Sequence, residues 1–375
     1  MHEEAQRSRH KILCVPLCFA VFVVALTGNG KSQQRLIYDK IPMSKNYALL
    51  FPVLFFPIHL IAQSKYVFEE PKMGSPFTIT IYTNDSLHAA AIAEKAFQLA
   101  DSLNNILSDY VDSSEINRLS VSSGKGIYVR VSPPLFDIIQ RAQSAAALSD
   151  GAYDITVGPI VKLWRKARKT KIFPDKDSLK TALQRTGYGY VHLDTLQQSV
   201  YLEKRGMQLD VGGLGKGFVA QAALDLVKEN GFSSAMVNAG GKIVTANAPG
   251  DQKGWLIGIN QPEEKNDILP QLLSLQNIAV STSGDIYQYV EFNGKKYSHI
   301  VNPKTGIGLT SQRNVTAIAP DGTTADWLST ACSILSPRKS MRLVKKIKGA
   351  ALLITEKKNG HIKKKTSALF KSYYF

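Results

Sequence analysis

The segment Leu209–Gly217 reads LDVGGLGKG, with glycines at 212, 213, 215 and 217. Glycine loses more backbone entropy than any other residue in a strand or helix, so this run is a turn. Upstream, Met207–Val211 has the apolar character of a strand. Downstream, Gly217–Glu229 reads as a helix closed by Asn230-Gly231, a helix-stop signal. A glycine loop between strand and helix lets backbone approach a ligand closely, with a phosphate-favouring helix N-terminus behind it. No Ser or Thr follows Lys216, which excludes a P-loop, and the GxGxG spacing is not the dinucleotide fingerprint. Taken alone, the loop is equally well read as a turn needed for tight packing.

From Tyr66 onward, strand and helix patterns alternate around this loop. Phe77–Tyr82 (FTITIY) is a β run, Asp85-Ser86 offers a cap, and Leu87–Leu107 carries apolar residues at helical spacing. Pro133 and Pro134 open a helix running to Leu148. Tyr190–Leu193 and Ser199–Leu202 read as a strand pair. Further strands are expected at Ala235–Val237, Trp255–Ile259, Ala279–Ser281, Tyr287–Phe292 and Val315–Ala319. Pro337 separates two late helices, Thr324–Leu335 and Arg338–Lys348, before a last strand at Ala350–Ile354. The irregular order of elements predicts an α+β fold.

The 375 residues suffice for one large or two modest domains, and the formal net charge is +16. Much of the excess lies in Arg338–Lys348 and Lys357–Lys371, read as solvated surface rather than a nucleic-acid stripe. No aromatic-interleaved basic motif is present, so nucleic acid is excluded as a partner. The three cysteines, Cys14, Cys18 and Cys332, form no pair with disulfide or zinc spacing, which leaves oxygen or nitrogen ligands for any metal.

Two apolar segments precede the expected folded region. Ile12–Gly28 follows Arg7, Arg9, His10 and Lys11 and reads as an anchor or uncleaved signal. Tyr47–Ala62 follows Met43, Ser44 and Lys45 and ends in Ala62-Gln63-Ser64, the order of a signal peptide. Residues 1–42 are then an upstream extension, 43–64 a signal peptide or membrane anchor, and 65–375 the folded domain with a basic end. Met43 as the true start remains an open reading. Either way the folded part is expected outside the cytoplasm, in the periplasm or on the outer face of the inner membrane. Membrane association through the N-terminus is compatible with both.

Several segments carry residues suited to chemistry. Asp326 and Thr330 stand at i and i+4 of a helix, a carboxylate and a hydroxyl on one face that would suit Mg²⁺. The rival reading has Asp326 complementing the helix dipole and Thr330 bonding back to a carbonyl. A strand enters a hydroxyl-rich turn at Ser281–Asp285 (STSGD). Tyr297–Gly306 (YSHIVNPKTG) delivers His299, a candidate proton acceptor, before a turn. Gly151–Pro159 (GAYDITVGP) and Met73–Pro76 (MGSP), with Tyr110 downstream, are unremarkable singly.

In this order, MGS, DYVDSSEIN, GAYDITVGP, DVGGLGKG, NAGG, TSGD, HIVNPKTG and DWLST resemble the ApbE family of FAD:protein FMN transferases from Lys65 to Ile354. Ser75, Tyr153 and Asn302 replace the family's Thr, Phe and Asp. The resemblance implies mixed, largely antiparallel sheets with flanking helices. It also implies FAD contacts at Met73, Tyr110, Ala152, Tyr153, Asp154, Asp210, Lys216 and Ile300, and Mg²⁺ held by the Gly213 carbonyl, Asp326 and Thr330. Where some members have a further acidic ligand, this chain has Ser329. The implied reaction moves FMN from FAD to a Thr or Ser hydroxyl of an acceptor flavoprotein and releases AMP. Lys216 and the glycine-loop amides are expected to steady the phosphates, and His299, or else Asp210, to accept the proton. The flavin does no redox work in such a reaction. An FAD pyrophosphatase and a non-catalytic flavin binder are the alternatives. Replacing Asp326 is expected to remove turnover and spare the fold.

Overall fold

A computed structural model describes residues 63–260, 268–284, 289–311, 313–358 and 361–375. The two apolar N-terminal segments and the Met43 start lie outside the described residues. The first elements are the hairpin β1 (Ser64–Lys72) and β2 (Ser75–Thr83), then α1 (Ser86–Leu107) and α2 (Glu115–Val121). They are followed by β3 (Val129–Arg130), α3 (Pro133–Leu148), α4 (Gly158–Thr170) and α5 (Lys176–Gln184). β4 (Val191–Asp194) and β5 (Ser199–Leu202) precede α6 (Gly215–Glu229). Next are β6 (Ala235–Ala239), β7 (Lys242–Thr245), β8 (Trp255–Ile257), β9 (Leu273–Leu275) and β10 (Ala279–Gly284). The chain continues through β11 (Tyr289–Phe292), β12 (Lys295–Ser298), β13 (Arg313–Ala319), α7 (Gly322–Ile334) and α8 (Pro337–Val344), ending in β14 (Ala351–Lys358) and β15 (His361–Thr366).

Eight strands form one sheet in the order β1-β2-β6-β7-β10-β13-β14-β15, and every pairing is antiparallel. Inner strands such as β14, which begins ALLI, are apolar at successive positions because both faces are covered there, and the period of two sorts residues between two cores. Phe77, Ile79, Ile81, Val315, Ala317, Leu352 and Ile354 face the helices α1, α6 and α7. Val280, Ile318, Ala351 and Leu353 face the other way, against Trp255, Leu273, Leu275 and Phe370. The fold is thus α+β, as the order of elements predicts, with the largely antiparallel sheets that the resemblance implies.

Three expectations are corrected. Met207–Val211 is apolar but forms no strand: the Leu209 amide donates to Ser120 Oγ and the Asp210 amide to the Ile155 carbonyl. Packing rather than a ladder uses those apolar side chains. The run Lys357–Lys371 is not simply a solvated tail, because β15 pairs with β14 along the sheet edge and Phe370 is fully buried. Exposed Lys363, Lys364 and Lys365 there suit an edge that resists pairing with other chains. Finally, the last expected strand begins one residue later, at Ala351, and runs on to Lys358.

The two helices that matter most for the site meet backbone to backbone. A Cβ added at Gly217, in the first turn of α6, would lie 2.1 Å from the Gly322 carbonyl oxygen at the start of α7, and one at Gly322 would lie 2.4 Å from that of Gly217. No rotamer change relieves a backbone clash. Gly217→Ala should therefore cost about 3 kcal/mol or more in urea unfolding. Gly231→Ala, at φ +90° but with open space around its Cβ, should cost only about 1–2 kcal/mol. Equal losses would show that the helix contact is not tight.

Candidate active site

Helix α6 has no capping side chain of its own at Leu214. Its cap comes from the neighbouring helix: the Gly217 amide donates to Asp326 Oδ2 at 3.0 Å. Asp326 lies one turn into α7, itself capped by Asp321, and is 1% exposed. Its other oxygen, Oδ1, meets Lys242 Nζ at 3.2 Å and accepts from Ser281 Oγ at 3.3 Å. A buried carboxylate in such a place needs partners on both oxygens, and this one has them. Neither reading made from the sequence describes it in full. Asp326 serves the dipole of another helix, α6, rather than its own.

One turn further along α7, Thr330 Oγ1 donates to the Gly213 carbonyl at 3.3 Å, across the glycine loop. Ser329 stands between them in the chain. Its hydroxyl donates to the Asp326 carbonyl at 2.8 Å and lies 3.0 Å from both Ser281 Oγ and Ser283 Oγ. Ser329 is therefore part of a buried hydroxyl cluster on β10 and α7.

Lys216 Nζ donates to Ser75 Oγ at 3.0 Å, which ties α6 to the β1–β2 turn. Burial lowers the Lys216 pKa, Lys242 lowers it further, and Asp326 opposes both. The β6–β7 turn packs on the same spot, since a Cβ at Gly240 (φ +59°) would lie 2.6 Å from Ser75 Oγ. Met73 forms the tight β1–β2 turn with Gly74, both at positive φ. Gly213, Asp326, Thr330, Lys216 and the Met73 turn thus share one end of the sheet.

Tyr153 joins them. A Cβ at Gly213 would lie 2.9 Å from its ring, and its buried hydroxyl has no hydrogen-bond partner among the described residues. Asp154, next in the chain, turns inward. It accepts from the Thr156 amide at 2.8 Å, the Thr156 hydroxyl at 2.6 Å and the Tyr188 amide at 2.9 Å. Its role is to hold the turn that presents Ala152 and Tyr153, both about as buried at 4% exposure.

Asp210 occupies the other side of the loop. It is 8% exposed, pairs with Arg165 at 3.0 Å and accepts from the Gly212 amide at 2.7 Å. Burial, then the charge of Asp109, pushes its pKa up to about 6, against the pull of Arg165. Arg165 also pairs with Asp109, and its guanidinium lies 3.8 Å from the ring centre of Tyr110, which is 71% exposed. Sequence reading missed Arg165, Asp109 and Lys242. Arg165 sits on an unforeseen helix, and Lys242 gave only the signal of following the glycines of NAGG.

His299 follows β12 directly and is half-buried. Ser298 Oγ accepts from the Ile300 amide at 3.1 Å, and the Ile300 carbonyl accepts from Leu309 at 2.9 Å. The following turn is pinned by Trp164, whose indole donates to the Gly306 carbonyl at 2.8 Å and whose ring stacks on Tyr297. Lys304, in this turn, reaches Asp150 at 3.0 Å, which links the histidine segment to the one bearing Ala152 and Tyr153.

One expectation about the loop is corrected. Four of its amides are already engaged: Gly212 on Asp210, Leu214 and Gly215 on the Val211 carbonyl at 3.0 and 2.7 Å, and Gly217 on Asp326. The loop folds on itself, so the positive charge at this end of the sheet comes chiefly from Lys216 and Lys242. Asp326 is also more than a ligand candidate. Asp326→Ala should cost about 3–5 kcal/mol of stability, because it strands the Lys242 ammonium and the Gly217 amide. Asp326→Asn, which keeps an acceptor for that amide, should lose distinctly less in thermal unfolding. Identical losses would remove the capping role.

Residues 73–354 match the model of the ApbE family. The FAD:protein FMN transferase of Klebsiella pneumoniae (strain 342) is 31% identical over 267 residues, 71% of this chain and 81% of that protein. That of Treponema pallidum (strain Nichols) is 32% identical over 281 residues, 71% of this chain and 77% of that one. The crystal structure of the ApbE protein of Thermotoga maritima superposes with a TM-score of 0.74 at 28% identity, covering 83% of this chain and 99% of that one. The protein belongs to the ApbE family.

Proposed function

We infer that this protein is an FAD:protein FMN transferase. What carries the reading is the convergence of Asp326, Thr330, the Gly213 carbonyl and Lys216 on one end of the sheet, in a chain whose relatives bear that activity. An acceptor hydroxyl, of Thr or Ser, attacks the FMN phosphorus of FAD. The bond from that phosphorus to the bridging oxygen breaks, and AMP leaves with the bridging oxygen. The hydroxyl proton passes to His299 or Asp210. An Asp210 carboxyl poised near 6 changes protonation in the range where a general base works best.

The residues fit Mg²⁺. Carboxylate, hydroxyl and carbonyl are all hard oxygen donors, and the Thr330 Oγ1 to Gly213 O separation of 3.3 Å is close to the ~3 Å between neighbouring ligands of an octahedral ion. The buried Tyr153 hydroxyl, without a hydrogen-bond partner among the described residues, also suits a polar occupant. Asp326, Thr330 and the Gly213 carbonyl would hold the ion, which would neutralise charge on the pyrophosphate. Lys216, fixed by Ser75, would place an ammonium on the same oxygens.

Incubation with FAD, Mg²⁺ and an acceptor flavoprotein should give covalently bound flavin and one AMP per flavin. Free FMN with an unmodified acceptor would indicate a pyrophosphatase, and bound FAD without AMP would end the enzyme reading. His299→Ala should keep FAD affinity and lose about a hundred- to ten-thousand-fold in rate. If it loses affinity and keeps its maximal rate, Asp210 takes over as the base.

The reading includes export, supported by the charge order and apolar length of residues 43–64. With a C-terminal tag, a chain starting at Met43 should fractionate outside the cytoplasm and one starting at Lys65 inside it. A Met43 form that stays cytoplasmic while the Met1 form is exported would assign targeting to residues 12–28.

A further inference from the structure

Lys242 has no place in the reaction described so far, yet it occupies a proposed ligand atom. It follows the Gly240-Gly241 turn on β7, where its ammonium lies 3.2 Å from Asp326 Oδ1 and donates to the Thr282 carbonyl at 2.9 Å. The pair is shielded, with side-chain exposures of 14% for Lys242 and 1% for Asp326. Lys216 lies within electrostatic reach of both. Among the described residues no group of three or more His, Cys, Asp or Glu could hold a metal.

Charge balance then governs how a divalent ion can enter. One carboxylate and two ammoniums already leave this cluster with net positive charge. A divalent ion adds two more positive charges at close range, where shielding from water strengthens repulsion. The FAD pyrophosphate, with its two ionised oxygens, removes them. An ion arriving alone must also displace the ammonium from Oδ1 and leave it without its anion. An ion arriving with a diphosphate provides that ammonium with a new anion within reach.

We propose that Lys242 makes divalent-ion binding conditional on the diphosphate: it holds Asp326 until the ion takes Oδ1, then moves to a phosphate oxygen. This rests on the metal assignment above. It gives the enzyme a reason to load metal and FAD together, and to release metal with AMP. Lys242 is a positioning residue here, since it acts on the reaction through Asp326 and the phosphate.

Mn²⁺ binding to the whole folded protein, followed by electron paramagnetic resonance with and without ADP as a diphosphate probe, tests this. In the wild type, ADP should tighten Mn²⁺ binding roughly tenfold or more, and Mn²⁺ should tighten ADP by the same factor. Lys242→Met, similar in length but uncharged, should bind Mn²⁺ alone roughly tenfold more tightly than the wild type, with most of the coupling to ADP lost. Lys242→Arg should retain the coupling. Equal Mn²⁺ affinity in the wild type and Lys242→Met overturns the role of Lys242 and leaves the metal site standing. Absence of Mn²⁺ binding in every protein, with or without ADP, overturns the metal assignment as well. Should the Met variant fail to fold, wild-type Mn²⁺ affinity that ignores ADP overturns the proposal by itself.

Discussion

The bond from the Gly217 amide to the Asp326 carboxylate joins everything else in this molecule. It caps α6, whose own N-terminal residue offers no side chain for the purpose. It fixes α6 against α7 at a crossing so close that neither Gly217 nor Gly322 has room for a methyl group. Because Asp326 is buried, its charge must be answered locally, and Lys242 and Ser281 do so from β7 and β10. One carboxylate therefore ties two helices to two strands of the central sheet. The glycine loop between Asp210 and Gly217 is held at both ends, by Asp210 on the Gly212 amide and by Asp326 on the Gly217 amide.

That economy has a consequence for chemistry. A group that carries part of the fold is held rigidly, which is what a ligand or transition-state contact requires. It is also costly to alter, so loss of activity on removing Asp326 says little about metal binding unless stability is measured beside it. Arg165 presents the same duality on the opposite side of the loop. It compensates Asp109 and Asp210, and its guanidinium covers one side of the Tyr110 ring. Burial would otherwise drive Asp210 further from its ordinary range.

Much of this was legible in the sequence where a local signal sufficed. Asp85 caps α1 as its position before an apolar helical run predicts, and Gly231 at φ +90° ends α6. The spacing of Asp326 and Thr330 put both on one helix face, and the structure has both reaching toward the glycine loop. What escaped was set by tertiary context. Helix α4 is amphipathic, with Ile160, Trp164 and Ala167 buried along one stripe, but it is basic and low in apolar residues, and the helix was not foreseen. With it went Arg165 and the Trp164 anchor of the histidine turn. Asp154 was read through the family resemblance as a ligand contact; within the fold it accepts from the Thr156 amide and hydroxyl and from the Tyr188 amide. Lys242 carries no sequence signal of its partner, because that partner lies 84 positions away across the sheet.

Underlying all of this is the proposal that Asp326, Thr330 and the Gly213 carbonyl together hold a divalent ion. Anomalous scattering from crystals of the protein grown with Mn²⁺ and ADP tests it directly. The predicted result is a single strong peak with Asp326, Thr330 Oγ1 and the Gly213 carbonyl oxygen all within about 2.3 Å. A peak bound elsewhere, with Lys242 still seated on Asp326, would contradict it.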